Sequence, residues 1–325
     1  MLDMKGRSIL TLDDLSDAEF MGLLDLAAEL KAVRATGEQG RHLARKQVAM
    51  LFEKSSTRTR CAISVAAFEE GGRAEYLSSR EIHLGKKESV ADTARVLGRM
   101  FQGIVYRGFA QKTVETLAQY AGVPVLNGLT DESHPTQTLA DLMTVKEYFG
   151  TLAGLKLVYL GDGRNNVANS LMLGCAKTGM HFVNCTPPEL QPEPARVDAA
   201  EQVAQKHGGT IQVESDVTKA VEGAHVIYTD VWVSMGEEDK REERLALLRP
   251  YQVNMDVMRA TGNLESGRVI FLHCLPAFHN DQTDASSDSG ALEVTDDVFE
   301  SDFSRVFDEA ENRMHTIKAI FVATM

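Results

Sequence analysis

Seven polar side chains, Lys54, Ser55, Ser56, Thr57, Arg58, Thr59 and Arg60, follow the apolar run "QVAMLF" (47–52) and Glu53 without interruption, and a helical pattern follows them. If the run is a strand and the helix starts near Ser56, these groups stand where a strand ends and a helix begins. First-turn N–H groups and the helix dipole already favour an anion at such a place. Hydroxyls of Ser56, Thr57 and Thr59 and the two-pronged guanidinium of Arg58 would complete a short-range cage for a phosphate-sized group. The chain has no GxxxxGK[ST], so a nucleoside triphosphate is not the expected ligand. A capped helix with solvated arginines is the alternative reading, and it accounts for one Ser and one Arg better than for this many donors in a row.

Four further stretches carry chemistry-bearing residues. In "KLVYLGDGRNNVANS", Gly161 and Gly163 sit between a strand and a helix, but Asn166 stands where a dinucleotide fingerprint wants a third glycine. The next strand ends on Asn184, Cys185 and Thr186 rather than on an acid, which argues against NAD. Asn166 stays available to a polar ligand, with a plain tight turn as the equal alternative. In "HVIYTDVWVSMG", Asp230 ends a strand and suits an ammonium partner; helix capping is the common role for an isolated Asp. In "RVIFLHCLPAFH", Cys274 ends the last strand beside His273, with His279 five residues on. Two His and a Cys suggest a metal, but Pro276 breaks the spacing and no second cluster completes four ligands, so a thiol and loop backbone lining a cleft is the preferred reading. His134 in "DESHPTQ" precedes a helix at the expected C-terminal edge of a strand.

These groups need elements to hold them. "LSDAEFMGLLDLAAELKAVRATG" opens with the capping box Ser16–Glu19 and carries Phe20, Leu23, Leu24, Ala27 and Leu30 at helical spacing until Gly37. Short apolar runs then alternate with helical patterns as far as "PTQTLADLMTVKEYFG", and the alternation restarts at "KLVYLGDG". This predicts an α/β fold of two doubly wound domains, each a central parallel sheet flanked by helices, spanning residues 1–150 and 151–325. The last helix, "DFSRVFDEAENRMHTIKAIFVATM", puts Phe303, Val306, Phe307, Ala310 and Met314 on one face and can pack on either domain.

The chain's 325 residues suit two cores. A formal net charge of −13 repels nucleic-acid backbone and anionic membrane, so any anion must be caught locally. No apolar run reaches the roughly 18 residues of a membrane span, and 1–11 lacks a signal-peptide core. A cytoplasmic protein with reduced Cys61, Cys175, Cys185 and Cys274 is expected.

Taken together and in order, "FEKSSTRTR", "HLGKKES", "DTARVLGRM", "HPTQ", "GDGRNN", "DVWVSMG", "HCLPAFH" and "ENRMHT" resemble the aspartate/ornithine carbamoyltransferase family over nearly the whole chain. "DVWVSMG" and "HCLP" mark its ornithine branch. The resemblance implies carbamoyl transfer from carbamoyl phosphate to the δ-amine of ornithine, with no metal or organic cofactor. It implies that Ser56, Thr57, Arg58, Thr59 and Arg107 hold the phosphate, and that Thr59, Arg107 and His134 meet the carbonyl oxygen. Gln137, the backbone at Cys274 and Leu275, and Arg313 would hold the carbamoyl nitrogen. Asn166, Asp230, Ser234 and Met235 would orient the amino-acid end of ornithine, with Cys274 near its side-chain amine. His83 of "IHLG" would be donated by a neighbour in a homotrimer or a multiple of trimers. Arginine biosynthesis is the expected setting. Lysine, putrescine or aspartate as acceptor is the nearest competing reading; a nucleotide-dependent dehydrogenase and a non-catalytic anion-binding module lie further off.

Overall fold

A computed structural model describes residues 2–78, 82, 84, 85, 87–233, 240–283 and 290–325. Its helices are α1 (Asp17–Ala35), α2 (Thr57–Glu69), α3 (Val90–Met100), α4 (Gln111–Ala121), α5 (Pro135–Phe149), α6 (Asn166–Lys177), α7 (Pro194–His207), α8 (Val217–Val221), α9 (Arg241–Leu248), α10 (Met255–Ala260), α11 (Asp296–Phe299) and α12 (Val306–Thr324). Its strands are β1 (Gln47–Phe52), β2 (Arg73–Ser78), β3 (Gly103–Arg107), β4 (Val125–Leu129), β5 (Lys156–Leu160), β6 (His181–Cys185), β7 (Thr210–Glu214), β8 (Val226–Thr229) and β9 (Ile270–His273). No described helix is long and apolar enough to cross a membrane.

The chain divides into two compact units, Met1–Met143 with Glu311–Met325, and Thr144–Ala310. The division falls inside α5 rather than in the glycine-marked stretch 150–154, and α12 from Glu311 onward belongs with the first unit. The reason lies in that helix's contacts: Lys318 pairs with Glu69, Arg313 bonds Thr59, and the N-terminal segment bonds Ala323 and Thr324 through Met4 and Gly6.

In the first unit the parallel sheet runs β2-β1-β3-β4. β1 lies between β2 and β3, with Val48 opposite both Ala74 and Gly103, and is buried from Val48 onward, as its unbroken apolar run requires. β2 was not legible in the sequence: "RAEYLS" is polar and only half-buried because it is an edge strand. Ala49, Leu51, Ile104 and Tyr106 pack with Ala94 and Leu97 of α3 and Val114 and Leu117 of α4. In the second unit the sheet runs β7-β6-β5-β8-β9, also parallel, around a core that includes Val158, Val183, Ile227, Trp232 and Phe271.

Both orders have one place where successive crossovers leave a strand in opposite directions: between β1 and β3, and between β5 and β8. In open α/β sheets the ligand crevice lies at the carboxyl ends of such a strand pair. Arg107 at the end of β3 and the residues following β1, β5 and β8 are among those the sequence singled out.

One expectation fails. α12 has no simple apolar stripe: Phe307 is 64% exposed, whereas polar Asn312, Arg313, His315, Thr316 and Lys318 are buried with Ile317 and Ile320. From Glu311 onward the helix is enclosed on most sides by the first unit, and there it cannot sort its residues by face alone.

Candidate active site

The first unit gathers a cationic cluster. Ser56 caps α2: its hydroxyl accepts the Thr59 N–H at 3.2 Å and lies 3.0 Å from Thr59 Oγ1. Arg107, the last residue of β3 and buried, reaches Thr59 Oγ1 with Nη1 at 3.5 Å. Arg313 of α12 donates from Nη2 to Thr59 Oγ1 at 2.7 Å and to His134 Nε2 at 2.9 Å. Guanidinium can only donate, so His134 Nε2 accepts and its proton rests on Nδ1, 3.4 Å from the Thr136 hydroxyl. Burial, and then the charges of Arg313, Arg107 and Arg58, hold His134 well below the ordinary imidazole range, so it is neutral at neutral pH. Thr57 is exposed at the first turn of α2 and Arg58 is half-buried.

Buried Gln137, in the first turn of α5, donates from Nε2 to Asp141 Oδ1 at 2.8 Å. That bond turns the amide so that its oxygen is the face offered to an N–H donor. Asp141 was not anticipated; its spacing of four from Gln137 on a helix is the signal that could have found it. Lys54 and Arg60, in contrast, are engaged elsewhere: Lys54 pairs with Asp131 and lies over Phe109, and Arg60 lies over Tyr76.

The second unit builds an acidic cluster. Gly163 must be glycine, because a Cβ there would fall 2.7 Å from Asn184 Oδ1. Asn184 donates to the Gly163 carbonyl at 3.0 Å, and Thr186 Oγ1 accepts from the Gly163 N–H at 3.1 Å. The end of β6 is thus spent on holding the "GDG" turn, and burial pushes the Cys185 thiol up to about 12. No acid stands at the end of β6 to take a dinucleotide ribose, which counts against the dehydrogenase reading.

Asn165 caps α6, and Asn166 is its first residue. Asp230, 9% exposed, accepts at Oδ1 from Val231 N (2.7 Å) and from Cys274 Sγ (3.0 Å), and at Oδ2 from Asn165 Nδ2 (3.3 Å). Burial pushes its carboxyl up, against the pull of His273, the Cys274 thiol and the Val231 N–H.

The Cys274–Leu275 turn is braced from behind. His273 N donates to Glu309 Oε2 at 2.9 Å, and Leu275 N donates to His273 Nδ1 at 2.8 Å. Nδ1 therefore accepts, and Nε2–H faces Glu293 Oε1 at 3.3 Å. Glu293 Oε1 also takes the Phe278 N–H at 2.6 Å. Leu275 holds a positive φ of 57°, a backbone state that only such bracing maintains. Asp230, His273 and Cys274 have donor atoms within 4.8 Å of one another, but the imidazole lone pair is committed to Leu275, so the set reads as a hydrogen-bond network. His279 lies apart from it, stacked on Phe299 and bonded to Asp296.

The structure therefore brings Ser56, Thr59, Arg107, His134 and Arg313 together in the first unit, with Arg58 close enough to act on His134, and Asp230 with Cys274 in the second. His83, Ser234 and Met235 lie outside the described residues.

A family model described as "Aspartate/ornithine carbamoyltransferase, carbamoyl-P binding domain" matches residues 7–147, and one described as "Aspartate/ornithine carbamoyltransferase, Asp/Orn binding domain" matches residues 153–324. The curated protein "Ornithine carbamoyltransferase, catabolic" of Bacillus licheniformis is 57% identical over 330 residues, covering 100% of this chain and 98% of that protein. The Bacillus cereus protein of the same name is 55% identical over 329 residues, covering 99% and 97%. The solved structure of ornithine carbamoyltransferase from Pyrococcus furiosus matches with a TM-score of 0.91 at 43% identity, covering 100% of this chain and 99% of that one. With both of its family domains matched in order and relatives this close along its full length, the chain belongs to the aspartate/ornithine carbamoyltransferase family.

Proposed function

We propose that this chain transfers the carbamoyl group of carbamoyl phosphate to the δ-amine of L-ornithine, giving L-citrulline and phosphate. The observation that carries the reading is the buried cluster of Arg107, Arg313 and neutral His134 around Thr59, with Arg58 beside it: concentrated positive charge in an acidic chain, set at the N-terminus of α2. Such a site binds a phosphate and also opposes the charge that develops on a carbonyl oxygen.

The first unit takes carbamoyl phosphate. Ser56, Thr57, Arg58, Thr59 and Arg107 hold its phosphate, and Thr59, Arg107 and His134 address the carbonyl oxygen. Gln137, the Cys274–Leu275 backbone and Arg313 hold the carbamoyl nitrogen, with the Gln137 amide already turned to accept an N–H. The second unit takes ornithine by its amino-acid end through Asn166, Asp230, Ser234 and Met235, the α-ammonium being the natural partner of the Asp230 carboxylate. The δ-amine must lose a proton before its lone pair attacks the carbonyl carbon. A C–N bond forms, the C–O bond to phosphate breaks with the departing phosphate taking the proton that the attacking nitrogen sheds, and the tetrahedral oxyanion between these events is what Arg58, Arg107, Thr59 and His134 stabilise, while the Cys274 thiol lies near the amine.

Both Bacillus relatives are named catabolic, so arginine biosynthesis is not supported, and a catabolic setting is the reading adopted. We assign a cytoplasmic location, consistent with the absence of any disulfide among the four cysteines, and a homotrimer in which His83 completes a neighbour's site. Citrulline formation with putrescine, lysine and aspartate as competing acceptors tests the function: ornithine should be strongly preferred, and equal turnover of a competitor would overturn it.

A further inference from the structure

The two asparagines of "GDGRNN" do different work. The second, Asn166, is the proposed ornithine ligand. The first, Asn165, has no assigned part beyond capping α6, yet all of its side-chain polar atoms are engaged. Its Oδ1 accepts the Ala168 N–H at 2.7 Å. A backbone N–H can only donate, so this bond fixes which end of the amide is which, and the NH2 end is turned the other way. There it donates to the Tyr159 hydroxyl at 2.6 Å and to Asp230 Oδ2 at 3.3 Å. An NH2 group has two N–H bonds, and here it has two acceptors.

We infer that Asn165 is a positioning residue for the amino-acid end of ornithine: one amide fixes the start of α6, hence the place of Asn166, and holds the second carboxylate oxygen of Asp230. The inference rests on the reading of Asn166 and Asp230 as ornithine ligands. Its physical content is that both ligands take their coordinates from a single side chain, itself tied to the sheet. Tyr159 belongs to β5, is fully buried and stacks on Tyr228 of β8, with ring centroids 6.1 Å apart. Asp230 follows β8 directly, so the amide links the carboxyl ends of the two strands that flank the crossover reversal. Asp230 Oδ1 is served by Val231 and Cys274, whereas Asn165 is the donor to Oδ2. A buried carboxylate that must stay ionised to meet an ammonium depends on such donors.

A pure cap and a positioning residue can be separated, because Asp and Ser are as good N-caps as Asn. Asn165→Asp keeps the acceptor for Ala168 but sets an oxygen, not an N–H, against the Asp230 carboxylate. Asn165→Ser keeps the cap and removes the reach. Steady-state kinetics on both variants should show KM for ornithine raised by about ten- to a hundredfold in Asn165→Asp, the size expected for losing a hydrogen bond to a charged group, and raised less in Asn165→Ser. KM for carbamoyl phosphate should change by less than about twofold, since the ligands proposed for its phosphate and carbonyl oxygen lie in the other unit. Wild-type KM for ornithine in both variants would reduce Asn165 to a cap and overturn the inference. Equal weakening toward both substrates would mark a general loss of fold and overturn it as well. Asp230→Asn, measured alongside, separates the layers: an unchanged ornithine KM there would remove the site reading itself, and a raised one with a silent Asn165→Asp would remove this inference alone.

Discussion

Arg58 is the residue at which binding and chemistry should be hardest to separate. It is the second residue of α2, its charge reaches His134, and it is only half-buried, which suits the proposed double role toward a phosphate and a developing oxyanion. Arg58→Ala should therefore lower kcat by about 100- to 1000-fold and also raise KM for carbamoyl phosphate, as expected when a preorganised donor to the transition state is removed. Initial rates over a carbamoyl phosphate titration decide it. A higher KM with unchanged kcat would reduce Arg58 to a binding residue. The neighbouring donors show why residue type alone is a poor guide at this scale: Lys54 and Arg60 belong to the same run of seven, yet one is paired with Asp131 and the other covers Tyr76.

At the scale of elements, packing overrides propensity in α3. Gly98 sits inside this helix, where Ala in place of Gly ordinarily stabilises by about 0.5–1 kcal/mol. Here a Cβ would lie 1.7 Å from the carbonyl oxygen of Ala121 at the end of α4, and backbone cannot step aside as a side chain would. The clash should win: Gly98→Ala is expected to lower unfolding free energy by about 1–3 kcal/mol, the usual cost of overpacking. Urea denaturation measures this, and a variant as stable as wild type would show that α3 and α4 can separate freely. The capping signals behave more simply. Ser16 and Glu19 form the reciprocal box expected of them, and Ser56, Ser89 and Asn165 each accept an N–H from their own first turns.

At the scale of the whole molecule, three histidines among the described residues, His134, His225 and His315, are held below the ordinary imidazole range, in each case first by burial. Their folded pKa lies under the unfolded value of about 6.5, so the unfolded chain binds protons that the folded one refuses. The stability they contribute is complete above about pH 6.5 and is lost as pH falls below it. Asp230, with its carboxyl pushed up, works in the opposite sense, as one group against three. The thermal midpoint should drop between about pH 7.5 and 5.5, and His134→Gln should flatten the drop; a level midpoint in the wild type would contradict this. The proposed trimer has its own test. If Arg58→Ala and His83→Ala are each nearly inactive, exchange of subunits between them should restore about one quarter of all sites, because every mixed cyclic trimer has one interface where both intact residues meet. Demonstrated exchange without recovered activity would place both residues in one chain's site.

The sequence by itself determined what depends on local chemistry. "VAMLF" and "LVYL" lie in strands because unbroken apolar runs suit a sheet covered on both faces, and Ser16, Ser56 and Pro135 mark where helices begin because their side chains or ring meet the needs of a first turn. Ser56, Thr57, Arg58 and Thr59, proposed for the phosphate, stood out for the same reason, being concentrated in one short run after one strand. Only the tertiary structure decided what depends on neighbours distant in sequence. The edge position of β2 explains its polar face, and the first unit's enclosure of α12 from Glu311 onward explains why polar Arg313 is buried. The bracing of Leu275 by His273 and Glu293, the turning of Gln137 by Asp141, and the link from Asn165 to Asp230 are likewise not readable from spacing. A hydrogen bond is fixed by distances of a few tenths of an ångström between groups that can lie 65 residues apart, as Asn165 and Asp230 do, and no local pattern carries that information.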